Sequence, residues 1–226
     1  MDCKKSTSHR NRDKTVRFRE HMWKWMIILC VVFSAHLGAE VKILAFSGST
    51  REDSVNKKLV FEAARLACQK SASVTVIDLK DYPIPFYDGD LETKEGMPVK
   101  AKQLRQLMIQ SHIILITSPE YNGSLSAVLK NVIDWASRSE EGGSSREAFK
   151  GKRFVIMSAS PGSSGGTRGL IHLRAIIENI GGTVIPQQVV IPDAYNAFDQ
   201  QGHLKNQKIA SELQQVIEAA LFFDAS

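Results

Sequence analysis

At 226 residues the chain is long enough for one well-covered α/β domain and too short for two comfortable ones. Its apolar and charged fractions, 43% and 23%, are those of an ordinary globular chain and argue against disordered, collagenous and polytopic membrane classes. The net charge of +5 lies wholly in residues 1–39, where eight bases face three acids. Residues 40–226 hold 21 of each sign, which removes any electrostatic case for a nucleic-acid surface.

Residues 1–39 read as a separate N-terminal segment. A polar, basic stretch leads into the nine-residue apolar run Trp25–Phe33 and then into small residues up to Ala39. That order has the layout of a secretory signal peptide, and the run is too short for a standard transmembrane helix. A start at Met22 would leave Met22–Ala39 as a compact signal peptide, so export and a cytoplasmic location both stay open. No membrane partner is expected for the rest of the chain. Cys3, Cys30 and Cys68 make no C-x-x-C pair, and the six histidines show no H-E-x-x-H spacing. A disulfide framework and a metal site are therefore not expected.

From Glu40 strands alternate with helices. Val41–Phe46 is a short apolar run entering Ser-Gly-Ser-Thr, the pattern of a buried strand meeting a turn. Leu59, Ala63, Leu66 and Ala67 recur at helical spacing and predict a helix over 55–70. Val74–Ile77 follows as a strand, and Tyr82–Asp90 reads as loop because two prolines deny it a ladder. A helix is expected over 99–111. His112–Thr117 is apolar on both faces, as a covered parallel strand should be. Leu125, Val128, Leu129, Val132, Ile133 and Ala136 mark the most amphipathic helix. Ser139–Lys152 is a polar loop, Phe154–Met157 a fourth strand, and Arg168–Asn179 a helix stopped by Gly181-Gly182. Thr183–Ile191 supplies a fifth strand, interrupted by Pro186 and so placed at the sheet edge. A last helix is expected over 205–223. Five strands alternating with helices predict a doubly wound parallel sheet of order 2-1-3-4-5, as a single domain over residues 40–226.

Such sheets bind ligands beyond the carboxyl ends of their strands, and three unusual loops fall there. Ser47–Asn56 lies between a strand and a helix N-terminus, where free N–H groups favour an anion. Ser49, Ser54 and Asn56 add neutral donors, and Arg51 offers a fork suited to phosphate oxygens. The loop lacks a Walker lysine and the G-x-G-x-x-G spacing, so neither a P-loop nor a dinucleotide turn fits. Read by itself, it is equally an ordinary polar loop with Ser54 as N-cap. Pro119-Glu120-Tyr121-Asn122-Gly123 joins the central strand to the strongest helix; alone it reads best as a capped strand–helix turn. Ser158–Thr167 is small and glycine-rich, a low wall beside which a planar ring can lie. Asp134 and Trp135 read as structural.

Taken together, Gly48-Ser-x-Arg51, Ser54-x-Asn56, Ser118-Pro-Glu-Tyr-Asn122 and Leu129-Lys-Asn-x-Ile-Asp-Trp135 resemble the NADPH-dependent FMN reductases, a group that includes chromate, quinone and azo-dye reductases. Gly165-Gly166-x-Arg168, His172-Leu-Arg174 and Asp199-Gln-x-Gly202 continue the resemblance over nearly all of residues 40–223. It implies a flavodoxin-like fold, FMN as cofactor and NADPH or NADH as electron donor. It also implies an electron acceptor that is a quinone, azo compound, free flavin or metal oxyanion. The resemblance puts the FMN phosphate at Arg51, Ser54 and Asn56, with Ser49 and Val55 beside them. Pro119, Glu120, Tyr121 and Asn122 would border the isoalloxazine, with Ser158, Ser160 and Gly162 near its other side. No side chain needs a catalytic protonation role, because the chemistry is the cofactor's. A homodimer or homotetramer is implied as well. The alternatives are a flavodoxin-type electron carrier without NAD(P)H activity and a related scaffold that has lost FMN. Pro161 departs from the usual third loop, and residues 1–39 have no counterpart in the resemblance.

Overall fold

Phe46, Leu44 and Ile43 leave almost no surface exposed, which sets the strand that carries them at the centre of the molecule. The computed structural model describes residues 40–70 and 72–222; the expected N-terminal segment lies outside them. In chain order the elements are β1 (Lys42–Ser47), α1 (Val55–Cys68), β2 (Ser73–Ile77) and a 3₁₀ turn (Leu79–Asp81). Then come α2 (Gly89–Glu95), α3 (Val99–Gln110), β3 (Ile113–Thr117), β4 (Glu120–Tyr121), β5 (Ser124–Leu125) and α4 (Ala127–Ala136). The chain ends with β6 (Arg153–Ala159), α5 (Thr167–Asn179), β7 (Thr183–Val184), β8 (Val189–Ile191) and α6 (Gln207–Phe222).

The main sheet runs β2-β1-β3-β6-β7, and β8 also pairs with β6. Every pairing in it is parallel. This is the expected 2-1-3-4-5 order with the fifth strand divided. Pro186 cannot donate to a ladder, so Thr183–Val184 pairs with the start of β6 and Val189–Ile191 with its end.

Alternate residues of the central strands feed two cores, because successive side chains of a strand point to opposite faces. Ile43, Ala45, Ile113, Leu115, Val155 and Met157 pack with α1 and α6 through residues such as Leu59, Ala63, Leu213 and Val216. Leu44, Phe46, Ile114, Ile116, Phe154 and Ile156 pack on the other face with α3, α4 and α5. Both faces are thus covered, which explains why β1, β3 and β6 read as unbroken apolar runs. Each fully buried Leu, Ile or Phe in these layers contributes about 1.5–3 kcal/mol of transfer free energy.

Three local findings depart from the expected outline. The helix Gly89–Glu95 occupies the end of the stretch read as loop; Asp88 caps it, accepting from the N–H groups of Asp90 and Leu91. Leu125 belongs to a short strand rather than to α4. The segment after Pro119 is a β-hairpin, β4 antiparallel to β5, closed by Asn122 and Gly123 at φ 52° and 77°. Two consecutive positive φ values are what a two-residue type I′ turn requires, and Asn-Gly is its preferred pair.

Candidate functional site

The carboxyl ends of β1, β3 and β6 are tied to one another by side chains. Thr117, the last residue of β3, donates its hydroxyl to the Asn56 carbonyl at 2.9 Å. Ser126, the N-cap of α4, donates to the Gly48 carbonyl at 2.6 Å while accepting from the Leu129 N–H. Ser158 donates to the Ser118 carbonyl at 2.7 Å. Asn56 bridges to the end of β6, its Nδ2 donating to Ala159 O at 2.8 Å and its Oδ1 accepting from Ala159 N at 3.0 Å. Loops from three separate strands therefore form one fixed rim.

On the first loop Ser49 is buried and its Oγ accepts weakly from the Arg51 N–H at 3.4 Å. The Arg51 guanidinium is exposed and makes no hydrogen bond or ion pair among the described residues. Ser54 caps α1, accepting from the Lys57 N–H at 3.4 Å, so the plain capping reading of this residue holds. Val55 and Asn56 form the first turn, where backbone N–H groups have no partner within the helix. Ser47 lies at the root of this loop with its hydroxyl buried and unpartnered.

The hairpin supplies the second side. Pro119 is buried beneath it, while Tyr121 is 49% exposed and Asn122 lies at the turn. The Glu120 carboxylate points away from the rim: it accepts from Arg168 Nε at 3.1 Å and from the Gly169 N–H at 3.2 Å. On the third loop Ser160 is half-buried and Gly162 exposed, with the Gly162 N–H donating to Ser160 Oγ at 3.3 Å. Ser158, in contrast, is fully buried.

The structure thus brings all twelve expected site residues to one edge but divides them by orientation. Arg51, Tyr121, Asn122 and Gly162 are exposed on the rim and Val55 and Ser160 half-buried there, while Ser49, Ser54 and Pro119 are buried just beneath it. The side chains of Asn56, Ser158 and Glu120 are committed to other parts of the protein, so a ligand would meet main chain at those positions. Trp135 is buried with its indole N–H on Pro85 O at 2.8 Å, and Asp134 pairs with Lys130 at 2.7 Å, so both side chains are engaged within the protein. A fourth loop, Pro192–Asn196, reaches the same edge. It is joined to the third by Ala194 N donating to Ser160 O at 3.1 Å. Asp193 is held at φ 44° and accepts from Asn196 Nδ2, leaving Tyr195 63% exposed. The sequence signal for it was the Pro-Asp pair directly after the last strand. Two surface grooves of about 620 and 510 Å³ lie elsewhere, on the flank of α3 and the outer face of α5. Neither contains a residue of these loops.

A profile describing the NADPH-dependent FMN reductases matches residues 41–196. The chain belongs to this family. Its FMN reductase relatives include the NAD(P)H-dependent FMN reductase PA1204 of Pseudomonas aeruginosa, 35% identical over 181 residues, which span 80% of this chain and 93% of the relative. A probable NADPH:quinone oxidoreductase of Oryza sativa is 34% identical over 181 residues, 78% of this chain and 85% of that one. Among solved structures, the flavoenzyme NAD(P)H:(acceptor) oxidoreductase FerB of Paracoccus denitrificans superposes with a TM-score of 0.67 at 27% identity. That match covers 80% of this chain and 95% of FerB.

The residues present fit the family's cofactor. An unpaired guanidinium beside the open first turn of α1 suits a phosphate. The Ser47 hydroxyl at the root of the same loop is buried without a hydrogen-bond partner. Tyr121 and Asn122 of the hairpin and residues 161–164 of the third loop are exposed, free to meet a flat ring.

Proposed function

We propose that the protein is an FMN-dependent NAD(P)H oxidoreductase that passes electrons through bound FMN to a quinone, azo compound, free flavin or metal oxyanion. The observation that carries this reading is the tied rim, with unpaired Arg51 at one end and the Tyr121–Gly123 turn at the other. FMN, when bound, supplies the redox chemistry. The chain's own residues bind and orient. Arg51 and the α1 N-terminus neutralise the phosphate, and the Tyr121–Gly123 main chain and Asn122 offer donors and acceptors to the ring edge. Asn56 and Ser158 keep the three loops at fixed separation, which would hold the cofactor in one place. The relatives' names support flavin and quinone acceptors; the wider acceptor range extends from the family resemblance.

An assembly of two or four chains belongs to this reading. Phe86 is 75% exposed on a loop held rigidly by Asn131 and Trp135, which hydrogen-bond Pro85 O at 3.0 and 2.8 Å. A large apolar side chain kept exposed by a rigid loop suits a contact with a second copy. Light scattering of the purified protein would give a single-chain mass if this part is wrong. The fate of residues 22–39 decides the compartment: a mature N-terminus at residue 40 indicates export, and a retained segment indicates the cytoplasm.

The activity itself is tested by steady-state turnover of the FMN-reconstituted protein with NAD(P)H and benzoquinone varied together. Parallel double-reciprocal lines, with turnover dependent on added FMN, are expected for two half-reactions at one site. Turnover that ignores FMN would overturn the reading.

A further inference from the structure

Helix α5 begins without a capping side chain of its own. Its N-cap is Gly166, at φ 93°, and no side chain of the local sequence satisfies the first turn. The anion that does so comes from 49 residues upstream. The Glu120 carboxylate, 10% exposed, accepts from the Gly169 N–H with Oε2 and from Arg168 Nε with Oε1. A carboxylate at a helix N-terminus is favoured by the unpaired N–H groups and by the helix dipole. Arg168 itself is 70% exposed, so its ion pair contributes little alone, and the buried Gly169 contact is the stronger anchor.

The neighbouring residues of α5 are shaped for the same contact. A Cβ on Gly166 would lie 1.9 Å from Ser158 Oγ and 3.6 Å from the Glu120 Cβ. A Cβ on Gly169 would lie 3.2 Å from the Ser124 carbonyl oxygen and 3.5 Å from the Glu120 Cβ. One turn further on, His172 Nδ1 sits 2.9 Å from Ser124 Oγ. Positions 166, 169 and 172 share one face of the helix. Together they receive both strands of the hairpin, Glu120 from β4 and Ser124 from β5. The motif Gly166-x-Arg168-Gly169-x-x-His172 is thus a seat for the hairpin.

We propose that Glu120 is a positioning residue for the flavin-ring end of the site. Its carboxylate, seated on the first turn of α5, sets the height of the Tyr121–Gly123 turn over the third loop. It also fills the α5 N-terminus with a negative charge, whereas the first turn of α1 carries only the neutral Ser54 cap. The inference rests on the FMN reading and adds to it a division of labour: Arg51 acts on the phosphate, Glu120 on the ring.

The test compares Glu120→Gln, Glu120→Ala and Arg168→Ala with the parent protein. Binding of FMN and of riboflavin is followed by quenching of flavin fluorescence, and turnover is measured at saturating FMN. Gln keeps the shape but turns an N–H₂ toward an N–H donor, so one of the two contacts fails. Both Glu120 variants are expected to bind FMN and riboflavin about tenfold more weakly, with the ratio of the two affinities unchanged within about twofold. At saturating FMN, kcat should fall about tenfold and the visible circular dichroism of the flavin should change. Arg168→Ala should cost about twofold, and adding it to Glu120→Ala should cost nothing more. Thermal midpoints separate this from general loosening, which would lower stability but leave the flavin-saturated kcat intact. Unchanged kcat in both Glu120 variants overturns the proposal, and so does a fall in FMN affinity with riboflavin affinity preserved. If Glu120→Ala does not fold, Glu120→Gln decides. A parent protein that binds neither flavin would overturn the FMN reading itself, before any variant is compared.

Discussion

Replacing Asn56 with Ala separates two roles that a polar residue at a helix N-terminus can have. In the structure the amide closes a reciprocal pair with Ala159, donating at 2.8 Å and accepting at 3.0 Å, and both residues are about 2% exposed. Removing it strands one buried N–H and one buried C=O where water does not reach. Each such group costs about 1–3 kcal/mol, so the variant should lose about 2–6 kcal/mol of stability. For a domain of this size, that is a fall of about 4–24 °C in the thermal midpoint. The assay is thermal melting followed by circular dichroism, alongside the ratio of FMN to riboflavin affinity. Because the amide is spent on Ala159, the ratio should stay within about twofold of the parent value. A melting point that barely moves, together with a collapsed ratio, would refute this reasoning and return the Asn56 side chain to the phosphate.

Other outcomes follow from the same geometry. Arg51→Gln should weaken FMN about tenfold or more while leaving riboflavin binding and the melting point nearly unchanged, since a charge-assisted bond is worth about 1.5–3 kcal/mol and the side chain is exposed. Gly166→Ala should cost about 2–5 kcal/mol in urea unfolding, because the new Cβ meets Ser158 and φ 93° disfavours it. Burial works to raise the Glu62 carboxyl, but hydrogen bonds from Arg65 and His203 outweigh it and hold the group below its ordinary value. A carboxyl lowered in the folded state gives stability that is present above its unfolded value and lost as pH falls through the folded one. Urea midpoints of the parent should therefore drop more steeply than those of Glu62→Gln as pH falls from about 5 to about 3. Equal slopes would show that Glu62 adds no pH dependence.

Much of the fold was readable because buried parallel strands and amphipathic helices leave strong periodic signals. Pro186 marked the break in the fifth strand for a purely local reason, its missing N–H. What escaped was short or tertiary. β4 and β5 hold two residues each, too few to show alternation, so only Asn122-Gly123 announced the hairpin. Gly89–Glu95 is largely charged and shows no apolar stripe, and Asp88-Gly89 reads equally as a turn. At the site, the loops were legible but the direction of their side chains was not. Ser158 and Ser160 look alike in sequence, yet Ser158 turns inward because the Ser118 carbonyl lies beside it. Asn56 finds its partner 103 residues away, and Glu120 finds its own on α5. No local pattern encodes those partners.

Whether FMN held at this rim accepts electrons from NAD(P)H is decided by one anaerobic spectrum. Protein comprising residues 40–226 is loaded with FMN, freed of excess flavin and mixed anaerobically with NADPH, with NADH in a parallel sample. Visible flavin bands should stay with the protein through gel filtration and bleach on mixing, then return when a quinone is added. Protein that retains no flavin after loading, or bands that persist under both nucleotides, would contradict it.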